Sequence, residues 1–325
     1  MYKLNIIYKR KIWFAISSIL VVLSLICFFS FGLNQGIDFT GGSLLEVQFG
    51  SDNQLDMEEV KNSLADLELK SFIAQPTDNN GMILRFQDTS EETHQAIMDR
   101  LNGLMTKESA EPELSVEGEG EVIIENIEAV PASSQLDELR FEAVGPSIGQ
   151  ELKKKAIYSM ILVLVAIILY VAWAFRKVSK PVASWKYGLA AIFALFHDVI
   201  IVVGLFSILG RFFAVEVNTA FVAALLMVLG YSVNDTIVVF DRVRENLPKS
   251  DLDFEGTVNY SINQTITRSI NTSITTLLVL LSIIILGGDT IRYFALALFA
   301  GAFVGTYSSI FLASPLLVWF EKIKK

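Results

Sequence analysis

Six stretches of the chain stay apolar for about twenty residues or more, and charged or turn-forming residues separate them. An α-helix rises 1.5 Å per residue, so about twenty apolar residues cross the hydrocarbon core of a bilayer. The pattern therefore predicts six transmembrane helices, at residues 12–32, 156–175, 187–209, 217–240, 266–287 and 293–318. The first stretch is too long for the apolar region of a cleaved leader and lacks a small-x-small site, which predicts a retained span.

The segment between the first two spans has the short periods of a water-soluble unit. Strands are predicted from alternation and turn residues, and helices from apolar spacings of three and four. The elements are strand 44–49, helix 56–69, strands 71–75 and 82–86, helix 91–105 and strand 121–130. This β-α-β-β-α-β order predicts a ferredoxin-like α+β domain, a fold that names no function by itself. His94 lies on the second helix without neighbouring ligands, so we expect a surface residue and not a metal ligand.

Charge divides the chain in the same way as hydropathy. Residues 33–152 hold 25 acidic and 6 basic residues, whereas the rest holds 10 acidic and 20 basic residues. We therefore predict three regions: 1–32 with the first span, an acidic outer domain at 33–152, and spans two to six at 153–325. An acidic soluble domain argues against a nucleic-acid partner. The single cysteine, Cys27, excludes an intrachain disulfide and a cysteine metal site.

Lysine and arginine in the short flanks predict the orientation. One side of the six spans carries 15 of these residues and the other carries 5. Because positive residues favour the cytoplasmic side, both termini are predicted inside and the acidic domain outside. The run Lys153–Lys155 is discordant, since it falls on the outer side before span two.

Two spans carry carboxylates where the surroundings should be apolar. Span four contains Asn234 and Asp235, followed by an apolar turn, and span three contains His197 and Asp198 midway along. A charge in the middle of a span costs about 3 kcal/mol or more, so it usually serves an ion path or proton relay. We predict a functional carboxylate at Asp235; the alternative is a helix that ends early and leaves this residue at the headgroups.

The start of span five carries a polar row at every fourth residue, which must face protein or water. Its members are Asn259, Asn263, Thr267, Asn271 and Thr275, with Arg268, Thr272 and Thr276 in the adjoining row. Arg268 and Asp235 have similar predicted depths, so we expect an ion pair that protonation of the carboxylate would break. A static structural ion pair is the alternative. The supporting polar seam is predicted at His197, Thr267, Asn271 and Thr272.

Several motifs, in order along the chain, resemble the SecF subunits of the bacterial protein-export machinery. They are GIDFTGG at 36–42, VGPSIGQEL at 144–152, FHDV at 196–199, GYSVNDTIVVFDRVREN at 230–246 and TRSINTSITT at 267–276. The resemblance covers nearly the whole chain and is weakest over residues 50–130, where only the layout corresponds. SecD-type chains carry a related aspartate segment but a much larger soluble region, which favours SecF.

The resemblance implies a six-span half of a resistance-nodulation-division type transporter in the bacterial cytoplasmic (inner) membrane. It implies SecD as the other half, the SecYEG channel as the site of export, unfolded preprotein as the cargo, and YajC and YidC as further candidate partners. It places Asp235, Arg268, Asp198 and Asn234 on a proton pathway, with Asp241, Arg242 and Glu245 at the cytoplasmic end of the fourth helix. Protons are the expected coupling ion, sodium stays open, and no other cofactor is expected.

Glycines flank the outer domain on both sides, at Gly36, Gly41, Gly42, Gly145 and Gly149. Glycine permits backbone angles that other residues resist, so these positions are hinge candidates. Tight turns at the membrane surface are the alternative.

Other function classes fit less well. The chain has neither a G-x-S-G turn nor a G-x-G-D segment of an intramembrane protease, and no phosphate-binding loop for direct ATP use. No enzymatic activity is therefore expected. Half of a proton-coupled small-molecule exporter of the same superfamily is the main alternative, although the outer domain is small for a substrate funnel. A passive scaffold is disfavoured by the charges within the spans.

Overall fold

The computed structural model describes residues 4–50, 57–67, 69–77, 80–108, 136–176 and 182–322. These residues form two compact units. One comprises residues 1–36 together with 153–325, and the other comprises Ile37–Leu152. We call them the membrane unit and the outer unit.

The outer unit is an α+β domain built on one antiparallel sheet. Helix α2 (Ile37–Thr40) precedes strand β1 (Gly42–Gln48), which is followed by helix α3 (Met57–Leu64) and a short 3-10 turn (Ala65–Leu67). Strands β2 (Ile73–Thr77) and β3 (Gly81–Phe86), helix α4 (Glu91–Glu108) and strand β4 (Asp137–Val144) complete it. The strand order is β2-β3-β1-β4, which is the arrangement expected of a β-α-β-β-α-β unit.

One face of the sheet packs against the helices. Leu45 of β1 stands opposite Leu84 of β3 and Phe141 of β4, and the register with β4 shifts between Glu46 and Val47. The buried core adds one row of side chains from each helix, namely Val60, Leu64, Ile97, Leu101 and Met105. The α+β fold class is confirmed. The predicted strand 121–130 lies outside the described residues, and the described fourth strand is β4.

The prediction that His94 is a surface residue is wrong. Its side chain is buried, with the ring stacked on Phe141 at 3.9 Å between centroids. Nδ1 lies 3.0 Å from Glu91 Oε1, and Nε2 lies 3.2 Å from Glu138 Oε2. The aromatic contact with β4 comes from a distant part of the chain, which helix periodicity alone does not reveal.

Six helices of the described chain are long and apolar enough to span a membrane, which confirms the predicted number. Helix α1 is Arg10–Phe31, α5 is Pro146–Ala174, α6 is Ser184–Phe213, α7 is Thr219–Asn246 and α8 is Phe254–Leu286. The last span consists of α9 (Asp289–Ser308), a π-helical turn (Ser309–Ala313) and α10 (Ser314–Lys322). Helix α5 begins earlier than predicted, so Gly149 and Lys153–Lys155 are helical.

Helices α6, α7 and α9 with the π-helical turn form the centre of the membrane unit. Small residues let them approach closely: a Cβ on Gly301 of α9 would lie 2.1 Å from Val228 Cγ2 of α7, and one on Gly305 would lie 2.9 Å from Ser232 Cβ. By contrast, α1 and α5 leave most of their apolar side chains exposed in this chain. Such surfaces suit lipid or another membrane helix.

The glycines beside the outer unit are closely packed at two positions. Gly41 and Gly42 have φ of +76° and +123°, which favour glycine. A Cβ on Gly41 would lie 2.8 Å from Pro146 Cα, and one on Gly42 would lie 2.7 Å from Phe86 O. These two glycines are therefore required for a tight turn and a close backbone approach.

Candidate functional site

Asp235 lies on α7 and is half-buried between α8 and the π-helical turn. The Ser269 hydroxyl of α8 donates to Oδ1 at 2.6 Å, and the Ser309 hydroxyl of the π-helical turn donates to Oδ2. Both bonds bring a hydroxyl proton to a carboxylate oxygen, an arrangement that gives stronger hydrogen bonds than two neutral groups make. The carboxylate is thus held by neutral donors from two neighbouring elements.

Asp198 of α6 is fully buried one helix away, and it too is held by hydroxyls. Ser232 of α7 donates to Oδ2 at 2.5 Å and Ser308 donates to the same oxygen at 2.8 Å. His197 Nδ1 lies 2.9 Å from Oδ1, so the ring proton sits on Nδ1 while Asp198 is ionised. His197 Nε2 is buried and has no hydrogen-bond partner within the described residues.

The two carboxylates meet adjacent serines on the last span. Ser308 ends α9 and Ser309 begins the π-helical turn, and successive residues of a helix point about 100° apart. Ser308 therefore reaches Asp198 on α6 while Ser309 reaches Asp235 on α7. Ser232, which binds Asp198, and Asp235 lie three residues apart on α7, so both carboxylates lie beside the same turn of that helix.

A row of small hydroxyl residues on α8 faces the interior of the unit. Its buried members recur at every fourth position: Thr257, Ser261, Thr265, Ser269 and Ser273. Ser273 contacts Thr306 Oγ1 of α9 at 2.6 Å and accepts a bond from the Tyr231 hydroxyl of α7 at 3.2 Å. The row predicted to face protein or water is therefore offset by two residues from the row that is buried inside this chain.

The predicted ion pair between Arg268 and Asp235 is absent from the described structure. Arg268 is exposed, and its neighbour Ser269 takes the position beside the carboxylate. The reason is geometric: adjacent helix residues point about 100° apart, so only one of them can face α7. Asp235 is hydrogen-bonded by two neutral hydroxyls where the sequence suggested a guanidinium.

The remaining residues of the predicted pathway and seam separate into two groups. His197 and Asp198 are buried, whereas Asn234 on α7 and Thr267, Asn271 and Thr272 on α8 are exposed in this chain. At the end of α7, Asp241 Oδ1 lies 2.5 Å from Arg244 and Arg242 lies 2.8 Å from Glu245. These half-exposed pairs along one helix contribute at most a few tenths of a kcal/mol each.

The first two asparagines of the predicted row hold the N-terminal segment. Asn263 Oδ1 accepts from the Leu4 amide at 2.8 Å, and Asn259 Oδ1 accepts from the Ile7 amide at 3.2 Å. Nearby, Glu255 of α8 binds both Arg10 of α1 and Lys322 of α10. These side chains attach the segment before α1, the start of α1 and the end of α10 to α8. They do not contact Asp198 or Asp235.

Sequence reasoning missed the four serines that bind the carboxylates, Ser232, Ser269, Ser308 and Ser309. A usable signal was present, because Ser232 precedes Asp235 by three residues and Ser269 belongs to a four-residue repeat. Ser308 and Ser309 carry no such mark, since serine is tolerated in spans through bonds to its own backbone. In the described part of the chain, no group of three His, Cys, Asp or Glu residues could hold a metal ion.

Comparison with known proteins identifies two matching family models. Residues 125–323 match the model "Protein export membrane protein SecD/SecF, C-terminal", and residues 28–52 match "SecD/SecF GG Motif". The second match contains Gly41 and Gly42, the two glycines with positive φ.

Curated relatives cover nearly the whole chain and are each described as "Protein translocase subunit SecF". The relative from Anaerolinea thermophila is 39% identical, over 98% of this chain and 94% of its own. Those from Thermobaculum terrenum and Pseudomonas aeruginosa are 40% and 36% identical, over 98% and 97% of this chain and 94% and 91% of theirs.

Solved structures of SecDF are similar to this chain. A crystal structure of SecDF from Thermus thermophilus, described as a translocon-associated membrane protein, matches with a TM-score of 0.78 and 33% identity. The match covers 99% of this chain and 39% of that chain. A crystal structure of SecDF in a super-membrane-facing form gives a TM-score of 0.65 at 32% identity, covering 100% of this chain and 39% of that chain.

Proposed function

This chain belongs to the SecF family of protein translocase subunits, and we propose that protonation of Asp235 couples the proton gradient to protein export in it. As a SecF-type subunit it is a multi-pass membrane protein with an auxiliary role in Sec translocation, and it is not an enzyme. In the proposal it acts with SecD in the bacterial inner membrane and promotes movement of unfolded preprotein through SecYEG. Protein export is favoured over small-molecule export because the curated relatives are translocase subunits.

The observation that carries the proposal is the set of groups around Asp235. Two hydroxyls hold the carboxylate, and in the described structure no cation is paired with it. A hydroxyl can donate to a carboxylate and accept from a carboxylic acid, so both protonation states find partners. Asp235 can therefore gain or lose a proton without breaking an ion pair, which would otherwise cost several kcal/mol in a buried setting.

The surface beside this carboxylate supports a SecD-type partner. Arg268, Asn271, Thr272 and Thr275 of α8 are exposed in this chain although they lie on a membrane-spanning helix. Polar side chains on such a helix face protein or water and not lipid. We propose that the SecD half covers this face and that Arg268 acts across that boundary. SecYEG, YajC and YidC remain expected partners for which the chain itself gives no contact surface.

Export driven by the proton gradient tests the role of Asp235. Asp235→Asn keeps the shape of the side chain and removes its titration, so the chain should fold and assemble while gradient-driven export is lost. The assay is translocation of a preprotein into inverted membrane vesicles with and without an uncoupler, using cells that lack the native gene. Asp251→Asn, the same change at an exposed position between α7 and α8, is the matched control. Normal uncoupler-sensitive export by Asp235→Asn would show that the carboxylate is structural.

The same assay separates protons from sodium. Replacing sodium with potassium in all buffers leaves a proton-driven process unchanged and abolishes a sodium-driven one. Loss of stimulation in the sodium-free vesicles, with the proton gradient intact, would reject protons as the coupling ion.

The partner face is tested by site-specific crosslinking in the Cys27→Ser background. A cysteine at Asn271 should crosslink to the SecD half, whereas one at Leu162, on the exposed apolar face of α5, should not. Crosslinking from Leu162 alone would place the partner on the other side of the membrane unit.

A further inference from the structure

Ser308, the last residue of α9, and Ser309, the first of the π-helical turn, each have a second hydrogen-bond acceptor within reach. The Ser309 hydroxyl lies within hydrogen-bond distance of Asp235 Oδ2 and, at 3.0 Å, of the Thr306 carbonyl oxygen. The Ser308 hydroxyl lies 2.8 Å from Asp198 Oδ2 and 3.1 Å from the Gly305 carbonyl oxygen. A hydroxyl has one proton, so it donates fully to only one of the two acceptors at a time.

With two acceptors in reach, each serine can change its hydrogen-bond acceptor when its carboxylate gains or loses a proton. While Asp235 is ionised, the Ser309 hydroxyl donates to it. When Asp235 carries a proton on Oδ2, that proton is donated to Ser309 Oγ, and the Ser309 hydroxyl turns to the Thr306 carbonyl. Ser308 can make the same exchange between Asp198 and the Gly305 carbonyl, so in both states the carboxyl group and the serine hydroxyl each keep a hydrogen-bond partner.

The two exchanges are not independent, because Ser308 and Ser309 are consecutive residues of one backbone turn. Their alternative acceptors, the carbonyls of Gly305 and Thr306, are consecutive as well. Ser314 donates to the Ser309 carbonyl at 3.1 Å, a bond spanning five residues that supports the π-helical turn. A single π-helical turn within an α-helix often marks a functional site. A shift of this turn at one serine therefore changes the position of the other.

We propose that the Ser308–Ser309 pair couples Asp198 to Asp235, so that the two carboxylates take up protons as one site and not independently. The biological purpose of this coupling rests on the proposed function, whereas its test measures proton binding and does not require export. Ser308 and Ser309 are positioning residues in it, and Asp198 becomes a second proton-binding group.

Few other groups can take part in this titration. His197 contacts Asp198 directly, and its ring stacks on Tyr307 at 6.1 Å between centroids. Within the described residues, the Tyr231 hydroxyl of α7 donates to Ser273 and to neither carboxylate. Arg268, on the element that supplies Ser269, is exposed and makes no bond to either carboxylate in the described structure. Among the described residues, a protonated His197 is therefore the one cation in the cluster that could compensate a second negative charge.

The test is infrared difference titration of the whole chain in lipid nanodiscs. The bands of the two protonated carboxyl groups are assigned by their loss in Asp198→Asn and Asp235→Asn. Two groups that interact strongly titrate as a pair, so the midpoint of the Asp198 band should differ by about one pH unit or more between wild type and Asp235→Asn. Ser308→Ala combined with Ser309→Ala should abolish this difference.

Matched variants keep the test decisive. Ser308→Thr and Ser309→Thr retain the hydroxyl and should retain the coupling, which separates loss of the hydroxyl from loss of packing. Ser207→Ala is the control, because Ser207 is a buried serine of α6 whose hydroxyl has no partner in the described structure. If the double alanine variant does not fold, the Asp198 midpoints of Ser308→Ala and Ser309→Ala are compared with those of Ser308→Thr and Ser309→Thr.

Three outcomes would overturn the proposal. They are equal Asp198 midpoints in wild type and Asp235→Asn, coupling that survives removal of the hydroxyls, and absence of the Asp198 carboxyl band over the pH range in which the chain stays folded. None of these measurements uses export, so their failure leaves proton-driven export by Asp235 standing. Conversely, normal export by Asp235→Asn would leave the coupling intact.

Discussion

Asn263 and Leu4 exchange two reciprocal hydrogen bonds: Asn263 Oδ1 accepts from the Leu4 amide at 2.8 Å, and its Nδ2 donates to the Leu4 carbonyl at 2.9 Å. The side-chain amide of Asn263 thus pairs with both backbone groups of Leu4, as the backbone of a neighbouring β-strand would. The segment before α1 is thereby attached to α8, the fifth span, although 259 residues separate the two positions along the chain.

Removal of this amide should release the N-terminal segment. Asn263→Ala loses both bonds, and since the site is partly open to water we expect a loss of about 1 kcal/mol in the free energy of docking. Trypsin cleavage after Lys9 and Arg10 in detergent-solubilised protein should become faster. Asn271→Ala, two turns further along α8 and without a bond in the described structure, should leave the cleavage rate unchanged; an equal rise in both variants would contradict docking through Asn263.

The close approach of α7 and α9 should depend on glycine at 301. A methyl group there meets Val228 Cγ2 at 2.1 Å, so Gly301→Ala forces the helices apart. Overpacking of this kind costs about 1–3 kcal/mol, measured as a lower thermal unfolding midpoint of the purified chain. Gly230→Ala, on α7 with open space around the new methyl group, should be neutral or stabilising. A neutral Gly301→Ala would mean that α7 and α9 lie farther apart than described.

The outer unit should lose stability in acid through Asp88. The Thr93 hydroxyl at 2.8 Å and the Ser90 amide at 2.9 Å bind this carboxylate just before α4 and hold the pKa of Asp88 below its ordinary value. A lowered folded-state pKa means that the stabilisation is complete above the pKa of the unfolded chain and is lost as the pH falls through the folded value.

The stability of the outer unit, measured by circular dichroism of the whole chain from neutral pH down to about pH 3, should therefore fall, and part of the fall should depend on Asp88. In Asp88→Asn that component should be missing, and the variant should be less stable than wild type at neutral pH. Glu92→Gln, at an exposed position in the first turn of α4, is the control. Identical acid profiles for wild type and Asp88→Asn would remove Asp88 as the cause.

Thiol labelling should settle the orientation. In the Cys27→Ser background, a cysteine at the exposed Asp99 should react with an impermeant reagent in intact cells, and one at the exposed Lys249 should react only after lysis. This follows from the excess of lysine and arginine on the side that carries both termini. Labelling of Lys249 alone in intact cells would invert the topology.

Hydropathy predicted the six spans because burial in lipid requires the same apolar length in every helix. Strands β1, β2 and β3 were predicted from short apolar runs and turn residues, whereas strand β4 (Asp137–Val144) was not predicted. The prediction that Arg268 pairs with Asp235 was wrong for the described residues, in which Ser269 and Ser309 bind this carboxylate. Ser269 and Arg268 are adjacent, so the rotation of α8 about its axis determines which of them contacts Asp235. The four-residue periodicity is compatible with two faces of α8 and does not specify that rotation.

The contacts of Ser308 and Ser309 depend on a π-helical turn, which shifts every following side chain relative to a regular helix. No residue type signals such a turn, so the sequence offered no means of placing these serines. The burial of His94 was missed for a related reason, because its partner Phe141 lies on a strand far along the chain. In each case the local pattern was correct and the tertiary contact was not contained in it.

Glu255 binds Arg10 near the start of the chain and Lys322 near its end, and this has a consequence for biogenesis. Arg10 enters the membrane 245 residues before its partner is synthesised. At a synthesis rate of about 5–20 residues per second, the first helix waits roughly 12–50 seconds with an uncompensated cation at its end. During that interval α1 can pack against α6, which is already synthesised, but its first turn has no ion pair to α8. A premature stop before α8 should therefore yield a first span that is inserted and packed on α6, with the chain before it unattached and open to quality-control proteolysis.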